Sequence, residues 1–239
     1  MRVCLLLFLC FGASVEAQEG TVRYEVTTQL DFELPPEVAH LADQFPTSQT
    51  DDKLLLFSGD ISLMMAAPEE EAETEDFESS GMRIMFRRND EGALHTDRQS
   101  GATTERRSFL SRSFLIDGKV DSLAWQITGE AAEFLGYPAY KATTMRDTIA
   151  VEAWFTPAIP ASVGPGPYGG LPGLVLLVTE DDARRTYIAT EVNLDPLDDD
   201  ALAPPTEGRR VTDEEFRAIV EEKTEELSRG RRGGVFFRN

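Results

Sequence analysis

Cysteine, histidine and lysine are all scarce in this 239-residue chain, which has two Cys, two His and four Lys. Cys4 and Cys10 both lie within the first ten residues, so the chain beyond them has no disulfide to staple it and must hold itself with its own core. A chain of this size buries roughly 70% of its unfolded surface, enough for one domain. A Cys/His metal centre is equally short of ligands. His40 and His95 are far apart in sequence, and no His-Glu-x-x-His spacing occurs. Positive charge is in deficit too, with 23 basic against 43 acidic residues and a formal charge of −20. Such a chain is repelled by a phosphate backbone, which excludes nucleic acid as a partner. No apolar run is long enough to cross ~30 Å of hydrocarbon, so the mature chain has no transmembrane segment.

What is present begins with an export signal over residues 1–17. Arg2 gives the positive start, Leu5 to Phe11 the short apolar run, and Val15-Glu16-Ala17 the small side chains that a signal peptidase accommodates. Cleavage is expected after Ala17. Cys10 follows Phe8 and Leu9 rather than small residues, which argues against a lipid anchor. The expected location is therefore beyond the inner membrane: periplasmic, outer-envelope associated or secreted.

From residue 18 to 193 the pattern is that of strands. Val22, Tyr24 and Val26 alternate with Arg23, Glu25 and Thr27, the period of a half-buried strand. Similar runs occur at 54–57, 82–86, 123–127, 137–144, 151–155, 174–178 and 187–192. The near-repeat Ser108-Phe-Leu-Ser-Arg-Ser-Phe-Leu115 also alternates as a strand would. Gly, Asp and Asn punctuate these runs at 58–60, 89–92 and 117–118, which favours antiparallel hairpins. The expected fold is mostly β with minor α: a curved antiparallel sheet, half-barrel-like, with a C-terminal amphipathic helix. The acidic stretch 68–80 holds too little apolar surface to offset its ordering entropy and reads as a flexible insertion. Residues 194–211 form a Pro/Asp-rich linker on which the helix docks loosely. Thr212 and Glu215 then make a capping box, and Phe216, Ile219, Val220 and Leu227 recur at helical spacing, so a helix is expected over 212–228. Pro35-Pro36 before Glu37, Val38 and Leu41 suits a second, short helix. Residues 229–239 form a basic tail.

Catalytic signals are absent. Ser162 in Pro160-Ala-Ser-Val-Gly164 lacks one glycine of a nucleophile elbow. The carboxylates between Asn193 and Asp200 lack the glycine and the terminal glutamate of an EF-hand loop, leaving a solvated acidic loop. No metal or cofactor is expected, and the chain reads as a non-enzyme.

The most distinctive stretch is Ala153-Trp-Phe-Thr-Pro-Ala-Ile-Pro160 followed by Gly164-Pro-Gly-Pro-Tyr-Gly-Gly-Leu-Pro-Gly-Leu-Val175. Glycines permit positive φ or close backbone approach and prolines fix φ, so this loop should be rigid. It has neither the lysine nor the following helix of a phosphate-binding loop. One reading is a fixed corner covering an end of the sheet, built on Pro160, Gly164, Pro165, Gly169, Gly170, Leu171, Pro172, Gly173, Leu174 and Val175. The other is a preorganised rim at which Trp125, Trp154, Phe155 and Tyr168 meet a ligand or partner. The corner is favoured, because aromatics beside glycines are more often packed than binding.

At this stretch the chain resembles the GLPGLI family, whose signature stands here as Gly170-Leu-Pro-Gly-Leu-Val175, with Val replacing the final Ile. Leu123-Ala-Trp125-Gln-Ile127, Gly136-Tyr137, Lys141-Ala142, Ala153 to Thr156, Ile159-Pro160 and Gly164-Pro165 fall in the same order and spacing, so the resemblance is strong over residues 115–192. It implies an exported, mostly-β domain with no established activity or catalytic residue set. By analogy, such curved sheets look like the half-barrels of lipoprotein carriers, which bind acyl chains or peptides.

The function expected is thus a non-enzymatic periplasmic or envelope binding protein for an apolar ligand or peptide, held in a cavity between the sheet and the helix. The alternative is a structural or partner-docking component of the outer envelope. A hydrolase is the third and least supported reading.

Overall fold

The computed structural model describes residues 18–30, 46–68, 78–79, 82–83, 92–198 and 200–230. The export signal, the helix expected near residue 37, most of the acidic insertion, the 84–86 part of one expected strand, the turn residues 89–91 and the tail beyond 230 lie outside the described residues.

Among the described residues, fourteen strands and one helix follow one another. They are β1 (Glu19–Gln29), β2 (Ser48–Ser58), β3 (Ile61–Ala66), β4 (Glu78–Ser79), β5 (Met82–Arg83), β6 (Ala93–Asp97), β7 (Ala102–Phe109), β8 (Arg112–Lys119), β9 (Gln126–Phe134), β10 (Tyr137–Arg146), β11 (Ile149–Thr156), β12 (Leu174–Glu180), β13 (Arg185–Asn193), β14 (Arg209–Val211) and α1 (Asp213–Gly230). Twelve strands make one open, curved sheet in the order β14, β8, β7, β6, β3, β2, β1, β13, β12, β11, β10, β9, while β4 and β5 pair only with each other. The mostly-β curved sheet with a C-terminal helix agrees with the sequence, with one difference: β14 runs parallel to β8, so the sheet is mixed.

Curvature has local causes. Bulges interrupt β1 against β13 at Arg23/Tyr24 and β11 against β12 at Trp154/Phe155. On the edge strand β9 the pairing with β10 steps from Ala131 to Ile127, so Thr128, Gly129 and Glu130 stand out of register. The first two add one residue each, on β13 and β12, the third adds two on β9, and each increases the local twist. At β9, Gly129 takes a φ of 86°, and the edge is broken and charged instead of flat, which discourages strand addition.

The near-repeat at 108–115 is a hairpin and not one strand. Phe109 faces Arg112 across a two-residue turn whose Leu110 and Ser111 have φ of 48° and 63°, the type I′ geometry that matches the twist of the flanking strands. Neither residue is Gly, Asn or Asp, so the usual turn signal is missing. The strand expected at 123–127 begins only at Gln126, because residues 120–125 are pinned beside the sheet. Val120 N–H donates to Gly101 O (3.0 Å), Arg146 Nε to Asp121 (2.8 Å) and Thr144 Oγ1 to Ala124 O (3.2 Å).

Both sheet faces are covered, by different segments. Val22, Tyr24, Val26, Leu55, Phe57, Val151, Ala153 and Val178 point to one face, where Ile159, Val163, Tyr168 and Leu171 of the 157–173 loop complete the main core. On the opposite face, Leu63 and Leu115 are buried where the segment after β13 returns to the far edge of the sheet. There the His95 ring lies within hydrogen-bonding reach of the Leu202 backbone, and Gly208 packs on the Ser113–Phe114 backbone.

The helix is fastened more firmly than a loose linker implies. Arg209–Val211, within the expected linker, is hydrogen-bonded to β8 as β14. Thr212 N–H donates to Glu215 Oε2 (2.9 Å) and Glu215 N–H to Thr212 Oγ1 (3.1 Å), closing the capping box. Val211 before the cap and Phe216 after it then act as a hydrophobic staple, joining Phe114 and Ile116 in a second small core. The Phe114 and Phe216 rings meet edge to face at 5.3 Å.

Candidate functional site

The Gly/Pro loop is a plug. Ile159, Ala161, Val163, Tyr168 and Leu171 are each about 1% exposed, and Gly164, Pro165, Gly169 and Gly173 are buried with them. Its glycines are where atoms come closest. A Cβ at Gly164 would overlap the Tyr168 carbonyl and meet Val175 Cβ at 2.8 Å, and one at Gly173 would overlap the Thr156 carbonyl. At Gly169 it would overlap the Arg98 guanidinium, whose Nη2 also reaches Pro167 O at 3.5 Å.

Three polar bonds hold the plug to its surroundings, and a fourth, from Tyr24 on β1 to Val175 on β12, lies beside them. Tyr24 donates its hydroxyl to Val175 O at 2.5 Å, Trp125 Nε1–H donates to Gly169 O at 3.1 Å, Gly166 N–H points at Met64 Sδ at 2.9 Å, and Val175 N–H donates to Val163 O at 3.0 Å. Burial pushes the Tyr24 phenol far above its ordinary pKa, and pushes Tyr168 up as well, with Glu180 adding to the effect. Arg98 is shifted down by burial, while Asp60 and Asp121 act to keep its charge.

The four aromatic candidates separate. Phe155 (3% exposed) and Tyr168 (1%) belong to the core, and their rings meet Tyr140 at 6.3 Å and Tyr187 at 6.0 Å. Neither presents a face at a rim. Half-buried Trp125 is an anchor for the plug through Gly169. Trp154 alternates to the other side of β11 from Ala153 and Phe155, where it packs at 5.5 Å on Phe134 and pairs across strands with Leu177, itself opposite Ile188. Of the signature residues, Leu171, Leu174 and Val175 are buried, while Pro160, Gly170 and Pro172 are exposed.

Among the described residues, nothing covers the same face of the sheet between plug and helix. Leu55, Met64, Leu94, Glu105 and Ile116 form one cross-strand row over β2, β3, β6, β7 and β8, and so share a face. The plug covers Leu55 and Met64, and α1 covers Ile116. Leu94 and Glu105, on β6 and β7, are only half-buried. With strands ~4.8 Å apart, the distance from Met64 to Ile116 is about 14 Å. Two open clefts lie along this strip. One, of about 230 Å³, runs from Gly166 and Tyr187 over Met64 to Leu94 and Glu105, with Asp51, Lys53 and Arg185 on its wall. The other, of about 490 Å³, lies between Arg107 and the Phe216, Val220 and Thr224 side of α1. Glu105 and Arg107, two residues apart on β7, join the two clefts through a pair of bonds at 2.6 and 2.7 Å, and Arg107 also sits 5.5 Å from the Phe216 ring centre. Among the described residues this is a groove along the sheet and not the enclosed cavity expected between sheet and helix, because the plug fills the interior that such a cavity would need.

Sequence reading did not single out Lys53, Arg185 or Glu105. Only strand register brings them together, and their one local signal is the parity that puts Asp51 and Lys53 on the same face as Leu55 and Phe57.

Residues 141–177 match the model of a family described as a protein of unknown function, Porph_ging. That stretch runs from β10 through the whole plug into β12, inside the region that resembles GLPGLI proteins. No curated protein matches the sequence. Among solved structures, the chain is similar to PNGF-II in its P21 crystal form (15% identity, TM-score 0.57, 86% of this chain and 34% of that one). The C2 form gives 16% identity, a TM-score of 0.56, and 86% and 33% coverage. The chain thus spans about a third of the length of PNGF-II, and the likeness is one of fold. Among the described residues, no helix is long and apolar enough to cross a membrane.

Proposed function

We propose that this is an exported, non-enzymatic binding protein of the cell envelope whose ligand is a peptide segment held in the groove over β6 and β7. The observation that supports this reading is the open strip between plug and helix, with Leu94 on its floor and Phe216 and Val220 on one wall. A compact apolar ligand needs an enclosed pocket, and the plug occupies that volume. A strip about 14 Å wide instead suits an extended strand or a helix of ~10 Å diameter. Met64 and Met65 at its plug end are unbranched and adapt to varied side chains. The rigidity of the plug supports a binding role as well, since a fixed wall lowers the ordering cost of binding.

The mature chain, residues 18–239, should enrich peptides from a random decapeptide library, and Leu94→Arg, which places a long charged side chain on the floor, should abolish the enrichment. Equal enrichment by the variant, with its thermal unfolding unchanged, would remove the groove from consideration. Export is tested by cell fractionation and by the N-terminal residue of the recovered protein, expected to be Gln18.

A second reading, docking to an envelope partner, is favoured by the outward row of Trp154, Leu177 and Ile188, the last 39% exposed. Cross-linking in intact cells through residue 188 tests it, and recovery of monomer alone at low and high salt would count against it.

A further inference from the structure

The turn between β7 and β8 places a leucine where its geometry favours other residues. Leu110 has a φ of 48° and is 50% exposed. Asn, Asp or Gly takes this left-handed backbone with less strain, and none of them presents such an apolar surface to water. Two unfavourable terms thus fall on one residue, and nothing inside the fold offsets them.

Other features converge on the same end of the sheet. α1 runs back along β8, with Phe216 against Phe114 and Lys223 close to Arg112. One turn farther on, Leu227 continues the sheet-facing stripe of Phe216, Ile219 and Val220 past the start of β8, and it is 48% exposed. Positive charge is unmatched here. Arg107 pairs with Glu105 and Asp213, Arg210 with Asp117, and Lys223 with Glu226. Arg112 and Arg209, exposed on the adjoining strands β8 and β14, have no carboxylate within ion-pair distance among the described residues, and Arg112 instead lies near a like charge, Lys223. α1 closes at Gly230 at this same end, and the nine residues that follow in the sequence contain three arginines, two phenylalanines and no acid.

We propose that this end of the molecule rests on an anionic lipid surface, with Leu110 and Leu227 entering the headgroup region, Arg112 and Arg209 meeting lipid phosphates, and the last nine residues adding a second attachment. Separate apolar points flanked by arginines suit a fluid interface that closes around each of them. A protein partner would need a broad complementary face, about 800 Å² a side. Stable attachment to a membrane takes two signals, and apolar insertion combined with basic charge supplies both. At about 0.1 M salt charges act over only about 10 Å, so the arginines at the contact outweigh the acids elsewhere in the chain.

The inference is independent of the groove, and the fold supplies its own control. Leu135, with a φ of 52° and 47% exposed, opens the same kind of two-residue turn between β9 and β10. Antiparallel pairing at every step from β7 to β9 places it at the opposite end of the sheet, in a hairpin that brings Glu133 and no unmatched arginine. The mature chain, residues 18–239, is floated with vesicles of phosphatidylcholine alone and of phosphatidylcholine with one-third phosphatidylglycerol, at about 0.1 M salt. Binding to the anionic vesicles is expected to exceed binding to the neutral ones at least fivefold. Leu110→Asn should weaken it about tenfold while thermal unfolding stays the same or moves up, because Asn suits the turn. Leu135→Asn should leave binding unchanged. Arg112→Gln/Arg209→Gln should weaken binding to the anionic vesicles about tenfold and leave the neutral ones unaffected. Failure of the native chain to float with anionic vesicles overturns the proposal. So does full binding by Leu110→Asn, or by the double arginine variant, or an equal loss in Leu110→Asn and Leu135→Asn.

Discussion

The Arg98 guanidinium occupies the space in which a side chain on Gly169 would stand, and its Nη1 lies 3.3 Å from where a Cβ on Gly170 would be. Two residues more than 70 positions apart thus specify each other: a flexible, half-buried cation from the turn after β6 and a glycine pair in the plug. Gly164 is limited differently, by the Tyr168 carbonyl and by Val175, neither of which is a movable side-chain end.

Substitution at these glycines should separate the two cases. Gly164→Ala drives a methyl group into backbone and is expected to cost ~3 kcal/mol or more, the upper part of the overpacking range. Gly169→Ala should cost about 1 kcal/mol, because the guanidinium can swing aside. In an Arg98→Ala background the Gly169→Ala cost should vanish, while that of Gly164→Ala stays. Urea unfolding of the four proteins and their combinations measures this, and an unchanged Gly169→Ala cost in the Arg98→Ala background would refute the pairing.

Tyr24 makes the fold sensitive to alkali. Its phenol is fully buried and its folded pKa is raised far above the ordinary value of ~10, so its contribution is complete below pH 10 and is lost as pH rises above that. Tyr168 and Tyr187 are shifted in the same direction by burial. Tyr24→Phe removes the bond to the Val175 carbonyl and should cost ~1–3 kcal/mol at neutral pH. The difference between the native chain and the variant should shrink steadily above pH 10 in denaturant titrations. A constant difference from pH 7 to pH 11 would sink this account.

How far the sequence announces this structure depends on the distance over which each feature is decided. Alternation at Val22, Tyr24 and Val26, the Thr212/Glu215 box and the close backbone approach at the glycines of the 157–173 loop are local, and all three are legible. The hairpin at Leu110–Ser111 is local too, yet it was hidden because its turn uses residues that rarely take positive φ. The burial of Tyr168 and Phe155, and the groove itself, depend on which strands neighbour one another. Strand order places β3 beside β6 and β13 beside β1, and no residue spacing reveals that. The same limit applied to Arg185, an ordinary arginine after an acidic turn until register set it across from Thr28.

At the helix, the cap and the staple should be separable. Thr212→Ala removes the acceptor for Glu215 N–H and is expected to cost ~1 kcal/mol. Phe216→Ala empties the small core against Phe114 and should cost ~3 kcal/mol or more, releasing α1 and β14 from β8. Hydrogen exchange distinguishes them: Thr212→Ala should raise exchange only in the first turn of α1, whereas Phe216→Ala should raise it along the whole helix and at Arg209–Val211. Whole-helix loss in both would show that the cap, and not the ring contact, holds the helix down.

His95 should make the segment after β13 sensitive to mild acid. Burial lowers its pKa below the ordinary 6.5, with Asp97 and the Leu202 backbone only partly offsetting the effect. A histidine with a depressed folded pKa takes up a proton more readily in the unfolded chain. Stability is therefore complete above pH ~6.5 and declines as pH falls toward the folded value. This window lies above that of most carboxylates, such as Asp97, whose own lowered pKa moves its contribution to more acidic pH. His95→Gln should flatten the stability profile between pH 7 and pH 5, and His40, present in both proteins, cancels in the comparison. Because the ring lies against Leu202, amides around residues 200–203 should lose exchange protection in the native chain at pH 5 and not in the variant. Identical pH profiles for the two proteins would mean that His95 titrates alike in the folded and unfolded chains.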